Sequence, residues 1–132
     1  MTIRERVEVR ASYRCEYCHS PQVICAYTFH VEHIAPRSQG GADNFGNYAL
    51  ACFFCNLSKL AFTTGIDPKT NLVAPLFNPR SDQWDHHFAW NRTHTEIKGL
   101  TDKGRATLLR LNLNRVERRK ARKLWLKTEV WP

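Results

Sequence analysis

No apolar segment approaches the roughly 18 to 20 residues that a membrane-spanning helix needs. The opening stretch, MTIRERVEVR, has the wrong polarity for a secretion signal. These absences predict a cytoplasmic protein with no membrane partner. Glycine and proline number six each among 132 residues, and there is no repeat or low-complexity run, so nothing favours disorder. Cysteine is sparse and odd in number, five in all. In a reducing compartment that count favours thiols or metal ligands over a disulfide framework. Acidic residues are scarce at one end: residues 98–127 hold only Asp102 and Glu117 against eleven Lys and Arg, whereas residues 1–97 balance nine against nine. The net charge of +8 therefore sits in one C-terminal block. Such a block predicts a polyanion-binding face, because each neutralised phosphate releases condensed counterions.

What is present predicts an α+β fold in one compact unit. Thr2 followed by Glu5 is a capping-box pattern for a helix over about residues 3–12. ICAYTFHVEHI is rich in β-branched and aromatic residues and reads as a strand; APRSQGGADNFGN is a loop, YALA a second strand, and FFCNLSKLAF has helical spacing. The Pro and Gly content from Gly65 to Arg80 predicts a connector that wraps the surface. HFAWNRTHTEIKGL reads as a hairpin turning at Asn91 to Thr95, with Trp84, Phe88 and Trp90 as an aromatic cluster. Thr101 predicts a helix start reaching about Leu111, and Asn114 with Glu117 a second box opening a helix over 115–127. On that last helix Val116, Ala121, Leu124 and Trp125 form the side expected to pack. Arg115, Arg118, Arg119, Arg122 and Lys123 form the side expected to meet nucleic acid.

Cys15-x-x-Cys18 and Cys52-x-x-Cys55 form two knuckles, each able to offer two thiolates to one tetrahedral zinc. Their separation is longer than in a simple zinc ribbon, so a segment is inserted between the half-sites. That insertion contains HVEHIAPRSQGG, which crowds His30, Glu32 and His33 into four positions before Pro36 and the Gly40-Gly41 pair. Cys25 falls outside the frame and is expected to be a small core residue.

Taken in order, CEYC, HVEHIAPRSQGG and NYALACFFCNLSK resemble the HNH endonuclease family, the zinc-knuckle branch of the ββα-metal nucleases. The resemblance covers about residues 13–60. PLFNPRSDQWDHHFAW and GLTDKGRATLLRLNLNR further resemble an extension of stand-alone bacterial members. It implies a ββα-metal core with a four-cysteine zinc knuckle over residues 1–64, and over 65–132 a packed extension with a hairpin and two helices. It also implies a metal-dependent endonuclease that hydrolyses DNA phosphodiesters. His33 is then the general base, Glu32 and Asn56 hold a catalytic Mg²⁺ or Mn²⁺, Asn47 fixes the loop, and Lys59 and Arg37 contact phosphate in double-stranded DNA. The family more often has Asp than Glu before the histidine. A competing reading is a zinc-stabilised nucleic-acid-binding module without turnover. A third is a structural zinc protein with an acidic protein partner.

Overall fold

A computed structural model of the chain describes residues 1–132. The chain divides into two compact units, Met1–Thr63 with Asn78–Ser81, and Thr64–Phe77 with Asp82–Pro132.

In the first unit, helix α1 (Ile3–Arg10) opens on the expected capping box. The Thr2 hydroxyl accepts from the Glu5 N–H at 3.1 Å, and the Glu5 carboxylate accepts from the Thr2 N–H at 3.2 Å. Two donors that the first turn leaves unpaired are thereby satisfied. The helix ends two residues earlier than expected, and Ser12 and Tyr13 then adopt φ of 54° and 57° and turn the chain into the first cysteine pair. Arg10 donates to the carbonyls of Phe45 and Tyr48, each at 2.7 Å, and so ties α1 to the next ladder.

The strand expected over ICAYTFHVEHI is much shorter. Strand β1 (His30–His33) pairs antiparallel with β2 (Tyr48–Ala51), in register from His30↔Ala51 to His33↔Tyr48. The partner has only four residues, so the backbone before His30 has no ladder to join, and residues 22–24 form a 3₁₀ turn. Helix α2 (Phe53–Lys59) follows directly and completes the ββα order. The core of this unit gathers Val7, Tyr17, Phe29, Leu50 and the four paired cysteines. Cys25, expected in that core, is half-exposed instead.

In the second unit, the expected connector is in fact a two-stranded ladder of β3 (Thr64–Ile66) and β4 (Val73–Pro75). Gly65 marks close packing rather than a loop: a β-carbon there would lie 3.2 Å from the Ala106 carbonyl oxygen. The turn between the strands is organised by the buried Asp67 carboxylate, which accepts from the Lys69 N–H, the Thr70 hydroxyl and the Nε and Nη2 of Arg105. After the short helix α3 (Trp84–His87), the expected hairpin forms from β5 (Phe88–Trp90) and β6 (Ile97–Gly99). The Asn91 side chain closes its turn onto the N–H groups of Thr95 and Glu96. Thr101 caps α4 (Asp102–Arg110) as expected.

Helix α5 (Val116–Trp125) departs from expectation twice. Asn114 does not cap it, because its amide is bonded to both backbone groups of Ile97 at 2.8 Å. The packing side is also different. Val116 and Leu124 are 47% and 64% exposed, while Arg122 and Trp125 are the buried positions. The aromatic cluster is present, with Trp84 5.1 Å from Phe88 and 5.7 Å from Trp90, and it continues through Trp131 to Trp125.

Candidate metal centre and active site

Cys15 and Cys18 lie on a tight knuckle in which the His19 N–H returns to the Cys15 carbonyl and the Cys15 N–H reaches the Ser20 carbonyl. Cys52 is the N-cap of α2, and Cys55 sits in its first turn. All four sulfurs are buried and lie within 4.8 Å of one another. Zinc–sulfur bonds of about 2.3 Å in a tetrahedron require sulfurs roughly 3.8 Å apart. Cys18 Sγ and Cys52 Sγ are 3.7 Å apart, so the donor set fits a zinc-type ion. Burial pushes the Cys15 thiol up, whereas hydrogen bonds from neighbouring thiols pull Cys18 down. Four dry sulfurs share charge poorly without a cation among them. The Ser20 hydroxyl, 3.0 Å from Cys18 Sγ, and the Cys55 N–H toward Cys52 Sγ supply outer support.

Between the two half-sites, β1 sends adjacent side chains to opposite faces, as a pleated strand must. Glu32 turns inward and is 7% exposed. Its Oε1 accepts from the Tyr17 hydroxyl, in the first knuckle, and its Oε2 lies 3.2 Å from Lys59 Nζ. Burial raises the Glu32 carboxyl above the usual range, against the pull of the Lys59 ammonium. Lys59, expected to touch phosphate, is instead 2% exposed, and it also donates to the Ile34 carbonyl at 3.1 Å. Asn56 is half-buried in α2, and its side chain makes no hydrogen bond. With both Glu32 oxygens engaged, Glu32 and Asn56 as arranged do not fit a divalent ion.

His33 takes the outer face, where its side chain is 23% exposed. Its Nε2 is 2.6 Å from Asp43 Oδ1, and its ring meets the Tyr48 ring edge-on at 5.1 Å. The Asp43 oxygen also accepts from Arg37 Nε at 2.7 Å. Arg37, then His33, holds the Asp43 carboxyl below the ordinary range. The Arg37 side chain is otherwise 70% exposed.

The loop from Ala35 to Asn47 folds back on itself to create this arrangement. Gly40 takes φ 83°, and Gly41 lies so close to Ala35 that a β-carbon would fall 1.7 Å from its carbonyl oxygen. The Asn47 amide then staples the loop. It accepts from the Ala35 N–H and donates to the carbonyls of Ala35 and Ala42, each at 2.9 Å. Sequence reasoning missed Asp43, Tyr17 and Tyr48. The available signals were an acid two residues after the glycine pair and a tyrosine inside the first CxxC.

Among the arginines expected at nucleic acid, Arg122 is fully buried and donates to the carbonyls of Thr95 and Leu113 and to Asn114 Oδ1. That corrects its assignment to a ligand-facing surface. Arg118 is half-buried, with its guanidinium 5.6 Å over the Trp125 ring, and Arg115 is half-buried at the start of α5. Arg119 and Lys123 are exposed, as are Lys120 and Lys127, which had not been singled out.

No helix of the chain is long and apolar enough to cross a membrane. No curated protein and no solved structure matches the chain. Residues 15–61, from the first cysteine of the sulfur cluster to just beyond α2, match the family model described as HNH endonuclease.

Proposed function

We propose that this chain is a metal-dependent endonuclease that hydrolyses phosphodiester bonds in double-stranded DNA, with His33 as general base. Nucleases of the HNH family act on nucleic acids, and the match spans every residue this reading uses for the cut. The observation that carries it is the placement of His33. It is a partly exposed imidazole at the end of β1, held by Asp43 at 2.6 Å, inside the segment from Cys18 to Cys52 whose two ends are tied into one cluster of sulfurs. A neutral imidazole accepts a proton from water at physiological pH and can return it to the departing oxygen. Asn47 keeps the loop beside the ring closed, and the open side of Arg37 is available to a phosphate oxygen.

Mg²⁺ or Mn²⁺ would supply charge stabilisation at the phosphate. Its expected ligands, Glu32 and Asn56, would suit it only after Lys59 gives up Glu32. That engagement favours a second reading, a zinc-stabilised nucleic-acid-binding module without turnover.

Supercoiled plasmid incubated with the zinc-loaded protein and Mg²⁺ or Mn²⁺ separates the two. Nicking or linearisation that disappears in His33→Ala, with zinc content unchanged, supports the nuclease. Salt-sensitive binding with no cleavage in either metal supports the binding module.

A further inference from the structure

The His33 to Asp43 contact has a consequence for the chemistry of the ring. An ionised carboxylate can only accept hydrogen bonds. Asp43 is kept ionised by the Arg37 guanidinium on the same oxygen, 2.7 Å away. A separation of 2.6 Å between His33 Nε2 and Asp43 Oδ1 therefore requires the proton to be on Nε2. A neutral imidazole carries one N–H, so the lone pair is left on Nδ1.

We propose that Asp43, steadied by Arg37, is a positioning residue that fixes His33 in the Nε2–H tautomer and leaves Nδ1 as the atom that takes the proton. The role rests on the reading of His33 as general base, but the tautomer claim stands apart from turnover. The loop is built for this contact. Gly40 and Gly41 let the chain double back, Asn47 staples the fold-back, and the Tyr48 ring packs perpendicular to the imidazole at 5.1 Å. Asp43 reaches the ring from a segment that contributes no other carboxylate. It acts only through His33.

The test uses the full, zinc-loaded chain labelled with ¹⁵N-histidine. Long-range ¹H–¹⁵N spectra are recorded at alkaline pH, roughly 8.5, so that the neutral imidazole is observed. The His33 signals are identified by their loss in His33→Ala. In the unsubstituted protein His33 should show the Nε2–H pattern. In Asp43→Asn it should shift to a mixture of tautomers, because the amide can either donate or accept. Arg37→Ala, which keeps the carboxylate but removes its anchor, should shift it part of the way. It also provides a second reading if the Asn variant folds poorly.

Where plasmid cleavage is measurable, Asp43→Asn should slow it on the order of 100-fold at saturating DNA, as a misdirected base does. An Nε2–H pattern unchanged in both variants would overturn the proposal. So would an Nδ1–H pattern in the unsubstituted protein. Absence of cleavage in the unsubstituted protein would instead count against the nuclease reading, and the spectra would still decide the tautomer.

Discussion

At the scale of single residues, the inner face of β1 is governed by a buried ion pair whose partners have nowhere else to go. Lys59 and Glu32 are 2% and 7% exposed, and Tyr17 fills the remaining side of the carboxylate. Removing one partner of such a pair typically costs about 3–5 kcal/mol, because the other is left charged and dry. Lys59→Met should therefore destabilise the chain strongly, and the loss should depend on pH. The folded Glu32 carboxyl is raised above its unfolded value by burial. Its favourable contribution is thus fully present below the unfolded pKa and is lost as pH rises through the folded one. Lys59 opposes that rise, so deleting it widens the window. Denaturant unfolding should show a larger gap between Lys59→Met and the unsubstituted chain at pH 8 than at pH 5. If Glu32 and Asn56 are able to take Mn²⁺ once the ammonium is gone, added Mn²⁺ should raise the Tm of Lys59→Met more than that of the parent. Equal shifts would count against those two residues as ligands. None of this competition is legible in the sequence. The spacing Asn56 to Lys59 places two polar residues on one side of α2, but it does not say which of them Glu32 meets.

At the scale of elements, the loop between β1 and β2 carries the arrangement around His33, and its two glycines serve different ends. Gly40 is in the left-handed region with open space around it, whereas Gly41 has a carbonyl where a side chain would be. Gly40→Ala should cost only the conformational penalty, about 1–2 kcal/mol. Gly41→Ala must push the loop off Ala35 and carry Asp43 and Asn47 away with it. The expected outcome is a modest fall in Tm for the first with the His33 tautomer intact, and a larger fall for the second with the tautomer scrambled. Thermal melts and the imidazole spectra of both variants check this. Elements set by local chemistry were readable in advance, among them the Thr2 box, the Thr101 cap, the CxxC knuckles and the Asn91 turn. Those set by a distant partner were not. Gly65 looked like a loop residue because its neighbour, the Ala106 carbonyl, is far away in the chain. Asn114 looked like a cap because the backbone of Ile97, which claims its amide, is equally remote. Asp43 escaped notice because ten positions separate it from His33, and only the fold-back at Gly41 brings them together.

For the whole molecule, the net charge of +8 is a statement about partners only to the extent that the charges face solvent. Helix α5 separates two kinds of basic residue that composition counts alike. Arg122 is a structural donor to the chain's own oxygens, while Lys120, Lys123 and Lys127 lie exposed with Leu124 along a shallow groove. Each lysine that neutralises a phosphate should contribute about 0.9 to the slope of log Kobs against log salt on duplex DNA. Reversing all three, as Lys120→Glu, Lys123→Glu and Lys127→Glu together, should flatten that slope by up to about 2.7 and leave Tm nearly unchanged. Arg122→Ala should do the opposite. It strands two buried carbonyls and an amide oxygen, where each bond from a charged donor contributes about 1.5–3 kcal/mol, so Tm falls while the slope of the folded fraction holds. Duplex binding measured at several salt concentrations, alongside melts of the same proteins, tests both halves. An unchanged slope in the triple variant would remove α5 from the DNA-binding surface and leave its positive charge to a partner of another kind.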